Sequence, residues 1–134
     1  MIVETLDHIN IRTSDLAGTV RFFVDVLEMG HQPPPGMTDE SRGSWLLDRE
    51  QRAVIHVGTP DAAYPSDADY PFVTGPSQGA LHHVAFRCTG FDALRARIDR
   101  LGYRFSESFF ESIGLRQLFV EEGNGILLEL NFFE

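Results

Sequence analysis

The sequence predicts an α+β fold: two βαβββ modules that pair into a curved, partly open mixed sheet barrel, with the helices outside. Three observations carry that expectation. LDHINIRTSDL (residues 6–16) aligns without a gap on LHHVAFRCTGF (residues 81–91), 75 positions further on. WLLDREQRAVIHV (45–57) aligns on LFVEEGNGILLEL (118–130), 73 positions further on. The chain has only 134 residues, the size of one ordinary domain, so the two copies are expected to share a core. The modules then cover about residues 1–60 and 80–134, with a linker over about 60–79.

Each copy opens on a segment that alternates apolar and polar residues, the period of a strand, and runs into apolar spacings of three and four, the period of a helix. In the first helix Leu16, Val20, Phe23 and Leu27 form the expected apolar stripe, with Ser14 or Asp15 placed to cap the free N–H groups. In the second the stripe is Phe91, Leu94, Ile98 and Leu101, and Gly102 supplies a left-handed stop. Each copy ends in a strand, a polar turn and a second strand. Gly123-Asn124-Gly125 is a strong hairpin signal, because these residues accept positive φ. HQPPPGMTDESRG (31–43) and GTPDAAYPSDADYPFVTGPSQG (58–79) are rich in Pro, Gly and Asp, and read as loops beside a site.

Composition narrows the partners. A net charge of −9 works against binding a phosphate backbone, which draws on clustered Lys and Arg. No apolar run approaches the roughly 20 residues of a membrane span, and MIVETLDHINIRT enters a strand pattern without a signal peptide. The expectation is therefore a cytoplasmic protein that meets neither nucleic acid nor membrane. One cysteine, Cys88, forms no internal disulfide and fits a reducing compartment; its parity places it in the core.

Strand alternation puts His8, Asn10 and Arg12 on one face, with Ile9 and Ile11 on the other; His83, Ala85 and Arg87 repeat this. His56 opposes Ile55 and Val57 in facing, while Glu129 and Asn131 share a face that Leu128, Leu130 and Phe132 do not. A pseudo-twofold between the copies would bring His8, His83 and Glu129 together as ligands of one divalent ion, with His56 as a candidate fourth. Two imidazoles and a carboxylate suit Fe(II), Mn(II), Ni(II), Co(II) or Zn(II). A carboxylate inside ILLELNF needs either a counter-charge or a metal, and Arg116 is the rival partner for Glu129. Arg116 is otherwise expected beside the pocket as a clamp for substrate oxygens, together with Asn10 and Arg12. For Arg12 and Arg87 a salt bridge at a module junction is the competing role. His82 and His31 are read as edge and loop residues.

LDHINIRTSDL, LHHVAFRC, GLRQLFVEEGNG and ILLELNF together resemble the vicinal oxygen chelate superfamily, which includes glyoxalase I, methylmalonyl-CoA epimerase, fosfomycin-resistance transferases, extradiol dioxygenases and bleomycin-resistance proteins. By position, the resemblance makes His8, His83 and Glu129 the metal ligands. Glyoxalase-like members carry a glutamate at position 56 and epimerase-like members a glutamine, where this chain has His56. The resemblance implies a metal-dependent enzyme acting on a small molecule that chelates through two neighbouring oxygens, and a homodimer. With His56 off the metal as a base, a two-His, one-carboxylate face leaves room for a catecholate and dioxygen on Fe(II), the reading favoured here, with Glu129 and His56 as the catalytic pair. With His56 bound, two open positions fit glyoxalase- or epimerase-like chemistry. A bleomycin-type binding protein without turnover is the third reading.

Overall fold

The computed structural model describes residues 1–63, 65–73 and 81–134. The chain divides into two compact units, Met1–Thr74 and Gly75–Glu134. In the first unit β1 (Ile9–Arg12) leads into α1 (Leu16–Leu27), followed by β2 (Gly30–Gln32), β3 (Gly43–Leu47) and β4 (Ala53–Gly58). In the second, β5 (Val84–Arg87) leads into α2 (Phe91–Arg100), then β6 (Phe105–Phe110), a short 3₁₀ turn (Glu111–Ile113), β7 (Leu115–Glu121) and β8 (Leu127–Phe132).

Both units use one topology. The sheet orders are β1-β4-β3-β2 and β5-β8-β7-β6. In each, the first strand pairs parallel to the last, and the other two pairings are antiparallel. These are the two mixed four-stranded βαβββ modules that the internal repeat predicts, and neither sheet closes on itself.

Alternation decides which side of each sheet becomes core. Ile11, Ile55 and Val57 are buried in unit 1, and Leu118, Val120, Leu128, Leu130 and Phe132 in unit 2. Each such side chain contributes about 1.5–3 kcal/mol by leaving water. The helices supply the other half of these cores. The buried face of α2 is Phe91, Leu94 and Ile98, as its spacing predicts, and Phe91 meets Phe132 edge to face at 5.2 Å. Leu101 falls outside the stripe and is exposed, while Gly102 takes the left-handed conformation (φ 77°).

The stripe of the first helix and the register of the closing hairpins also need correction. The stripe of α1 is Thr19, Phe22, Phe23 and Val26, not Leu16, Val20, Phe23 and Leu27. The helix turns so that both phenylalanines enter the core, which leaves Leu16, Val20 and Leu27 half-buried. Asp15 is the cap, accepting from the Gly18 N–H. The second correction concerns the gapless alignment of the closing hairpins. A register shift between Leu46 and Leu47 adds one residue to the β4 side, so Trp45 lies opposite His56 as Phe119 lies opposite Glu129. Trp45 is thus the counterpart of Phe119, not of Leu118.

His31 sits in β2 rather than a loop, its Nδ1 2.9 Å from the Glu40 carboxylate. Among the described residues no helix is long and apolar enough to cross a membrane. Residues 64 and 74–80 of the expected linker lie outside the described residues.

Candidate metal and substrate site

In unit 1 the ladder sets Asn10, His56 and Trp45 side by side across β1, β4 and β3. Three rings stack there. His56 lies flat on Trp45, with centroids 4.1 Å apart and planes 2° from parallel, and His8 covers its other face at 3.9 Å and 17°. Burial, and then the neighbouring His8, hold the His56 pKa below the ordinary histidine value, against weaker opposition from the Ala53 backbone and Asp7. His56 is therefore a neutral imidazole at neutral pH. His8 is paired through Nδ1 with the Asp7 carboxylate. Asn10 is exposed on the same face.

Arg12 lies on this face too, with its side chain almost fully covered. Its guanidinium donates to the carbonyls of Pro60 (3.2 Å) and Ala62 (2.7 Å) and to Asp67 (3.3 Å), tying the segment after β4 back onto β1. A cleft of about 260 Å³ opens between the two loops of unit 1, lined by Pro34, Met37, Arg42, Gly43 and Ala62 among others. Arg42 bridges to Asp61 at 2.9 Å on its rim. Gly43 pairs with Gly58, two residues along the ladder from Trp45 and His56, or about 7 Å.

In unit 2 the face that bears Glu129 carries a second polar group. His83 Nε2 lies 3.3 Å from Glu129 Oε2. The other ring nitrogen of His83 is 2.9 Å from His82 Nδ1, so one of the two histidines donates to the other. With His83 as donor, its Nε2 lone pair confronts a carboxylate oxygen, an arrangement that a cation satisfies; with the other tautomer, Nε2–H donates to Glu129. Two donors each about 2.0–2.2 Å from one ion stand about 3.0–3.4 Å apart when adjacent in its coordination sphere, so the observed spacing fits shared ligation. Nitrogen and carboxylate are also suitable donors for Fe(II), Mn(II), Ni(II), Co(II) and Zn(II). Glu129 Oε1 is engaged separately, accepting from Gln117 Nε2 (3.0 Å) and Asn131 Nδ2 (2.9 Å).

Arg116 stands on the opposite face of β7 from this group. Its guanidinium lies 3.5 Å over the Phe91 ring and donates to Asp92 at 3.1 Å, both on α2. Its partner is therefore Asp92, not Glu129. Arg87 likewise covers a ring, that of Phe133, at 4.6 Å. Cys88 is largely covered, and burial pushes its thiol up to about 11.

The expected ligands are divided between the units: His8 and His56 in the first, His83 and Glu129 in the second. Among the described residues no group of three or more His, Cys, Asp and Glu side chains forms a metal-ligating cluster. The sequence reading gave His82 only an edge role and did not single out Gln117. The signal for Gln117 was present, since hairpin register sets it opposite Asn131 and parity puts both beside Glu129.

No curated protein sequence matches. Solved structures share the fold. A virulence protein from Salmonella typhimurium superposes with a TM-score of 0.68 at 18% identity, over 100% of both chains. A lactoylglutathione lyase from Agrobacterium tumefaciens gives 0.68 at 16%, covering 98% of this chain and 95% of its own. The fosfomycin resistance protein FosX from Mesorhizobium loti gives 0.66 at 16%, covering 98% and 93%. The model of the Glyoxalase/Bleomycin resistance protein/Dioxygenase superfamily matches residues 5–130, which spans both βαβββ modules, the ring stack and the His83–Glu129 pair; the chain belongs to that superfamily.

Proposed function

We propose that this chain is a metal-dependent enzyme acting on a small molecule that chelates through two neighbouring oxygens, with ring-opening oxygenation of a catechol-like compound as its reaction. The observation that carries the reading is the His83 Nε2–Glu129 Oε2 spacing of 3.3 Å, which suits two ligands of one ion. His8 is the proposed third ligand. A bound divalent ion, Fe(II) first among those the donors suit, would act as a Lewis acid toward the paired oxygens and give dioxygen a place to react.

The ring stack supports oxygenation over isomerisation. A metal held by an imidazole lies in that ring's plane, and the planes of His8 and His56 are nearly parallel at 3.9 Å, so in this arrangement they do not share an ion. His56 is left as the proton acceptor. Its neutral imidazole takes a proton from a substrate hydroxyl, and the Trp45 plane keeps the ring from turning. Asn10 lies beside His56 in the ladder, which supports a role for it in orienting the substrate. Arg12 and Arg116, the other two candidate substrate-binding residues, also hold the segment after β4 and the start of α2 through Ala62 and Asp92. Cys88, the one cysteine, supports a cytoplasmic setting. A homodimer is the proposed assembly, to be read from the solution mass by light scattering.

The test is anaerobic reconstitution with Fe(II), then a catechol, then air. A spectral change on adding the catechol, followed by oxygen uptake, is the expected result. Isomerisation of a thiol adduct without oxygen uptake would transfer the assignment to glyoxalase-type chemistry. Tight ligand binding indifferent to chelator would make this a sequestering protein.

A further inference from the structure

Four polar side chains meet on adjacent strands of unit 2, on the face opposite the helix-packed core. Ser108 on β6 donates its hydroxyl to Gln117 Oε1 at 2.7 Å. Gln117 on β7 is only 7% exposed and uses both amide protons, one to Glu129 Oε1 (3.0 Å) and one to Asn131 Oδ1 (2.9 Å). Asn131 on β8 closes the ring by donating to the same Glu129 oxygen at 2.9 Å. The amide of Gln117 has one sensible orientation, because reversing it would set its oxygen against two acceptors and its NH₂ toward a hydroxyl. Two donors therefore converge on Oε1, and Oε2 is turned toward His83 Nε2.

We propose that Gln117 and Asn131, oriented by Ser108, are positioning residues that fix the Glu129 carboxylate with one oxygen presented for a divalent cation. The proposal rests on the reading of Glu129 as a metal ligand. A glutamate side chain on an exposed sheet face has several rotamers, and a ligand that must be ordered at the moment of binding loses affinity for that reason. Here the ordering is complete beforehand. Partners of this kind typically change metal affinity about 10- to 100-fold when removed.

The measurement is a Mn(II) titration of the full chain, following the free-ion electron paramagnetic resonance signal. Gln117→Leu and Asn131→Leu keep side-chain bulk and remove the donors; each is expected to weaken Mn(II) about 10- to 100-fold. In a Glu129→Ala background, already weakened, the same Gln117→Leu change should have no further effect, a coupling that a merely structural role would not show. Ser108→Ala, a mild change, should weaken binding severalfold by freeing the amide, and it decides the matter if Gln117→Leu does not fold. Wild-type Mn(II) affinity in Gln117→Leu, with binding weakened in Glu129→Ala, overturns the positioning role and leaves the ligand assignment standing. Full affinity in Glu129→Ala overturns the ligand assignment and the positioning role with it.

Discussion

At the scale of single residues, parity within a strand decides nearly everything. Arg116 has the parity of Leu118 and Val120, which are buried under α2, so its guanidinium emerges beside Phe91 and Asp92 rather than beside Glu129. That parity was readable from the alternation of β7, and it sets aside the rival pairing with Glu129 in favour of one with Asp92. Gln117, one residue on, belongs to the polar face. Cys88 follows its parity into the largely covered layer, as expected from sequence, and its environment fixes its chemistry. With burial pushing the thiol up to about 11, the nucleophilic thiolate is scarce at neutral pH. The native protein at pH 7.5 should therefore react with a disulfide reagent such as dithiobis-nitrobenzoate far more slowly than the unfolded chain. Raising the pH toward 10 should speed the native reaction steeply. Equal rates for the native and unfolded protein at pH 7.5 would contradict the buried placement.

At the scale of elements, periodicity made each helix and closing hairpin legible, while single insertions and distant caps stayed hidden. The extra residue on β4, opposite Leu46 and Leu47, shifts Trp45 against its counterpart, and no composition signal marks it. The start of α2 is another case. Gly90, at its N-cap, has no side chain to satisfy the first N–H groups; Glu134, 44 residues on, accepts from Gly90 (2.9 Å) and Phe91 (2.8 Å) instead. Those hydrogen bonds, Phe91 first, hold its carboxyl below the ordinary glutamate range, with Arg116 adding to the effect. The sign follows. A carboxyl depressed in the folded state stabilises it above the unfolded value, and the contribution is lost as pH falls through the folded one. Glu134→Gln should thus lower the melting temperature at pH 7 and lose that difference at acid pH, with faster amide exchange at the start of α2. A difference that grows on acidification would be inconsistent with the cap.

At the scale of the whole molecule, the repeat sets the same topology twice and gives the copies different polar faces. The first unit carries stacked rings around His56; the second carries a carboxylate locked by amides beside His83. Position 56 is equivalent to position 129, so one copy carries an imidazole where the other carries a carboxyl group. If His8, His83 and Glu129 hold the same ion, its binding free energy adds to folding in proportion to RT ln(1 + [metal]/Kd). That is about 2.7 kcal/mol at a hundredfold excess over Kd. Mn(II) at that excess should raise the melting temperature of the wild type by several degrees, since about 1 kcal/mol moves a domain near this size by roughly 2–8 °C. His8→Ala and Glu129→Ala should each abolish the shift, although the two residues lie in different units. A shift that survives His8→Ala while Glu129→Ala removes it would confine the ion to His83 and Glu129, and His8 would keep only its place in the ring stack.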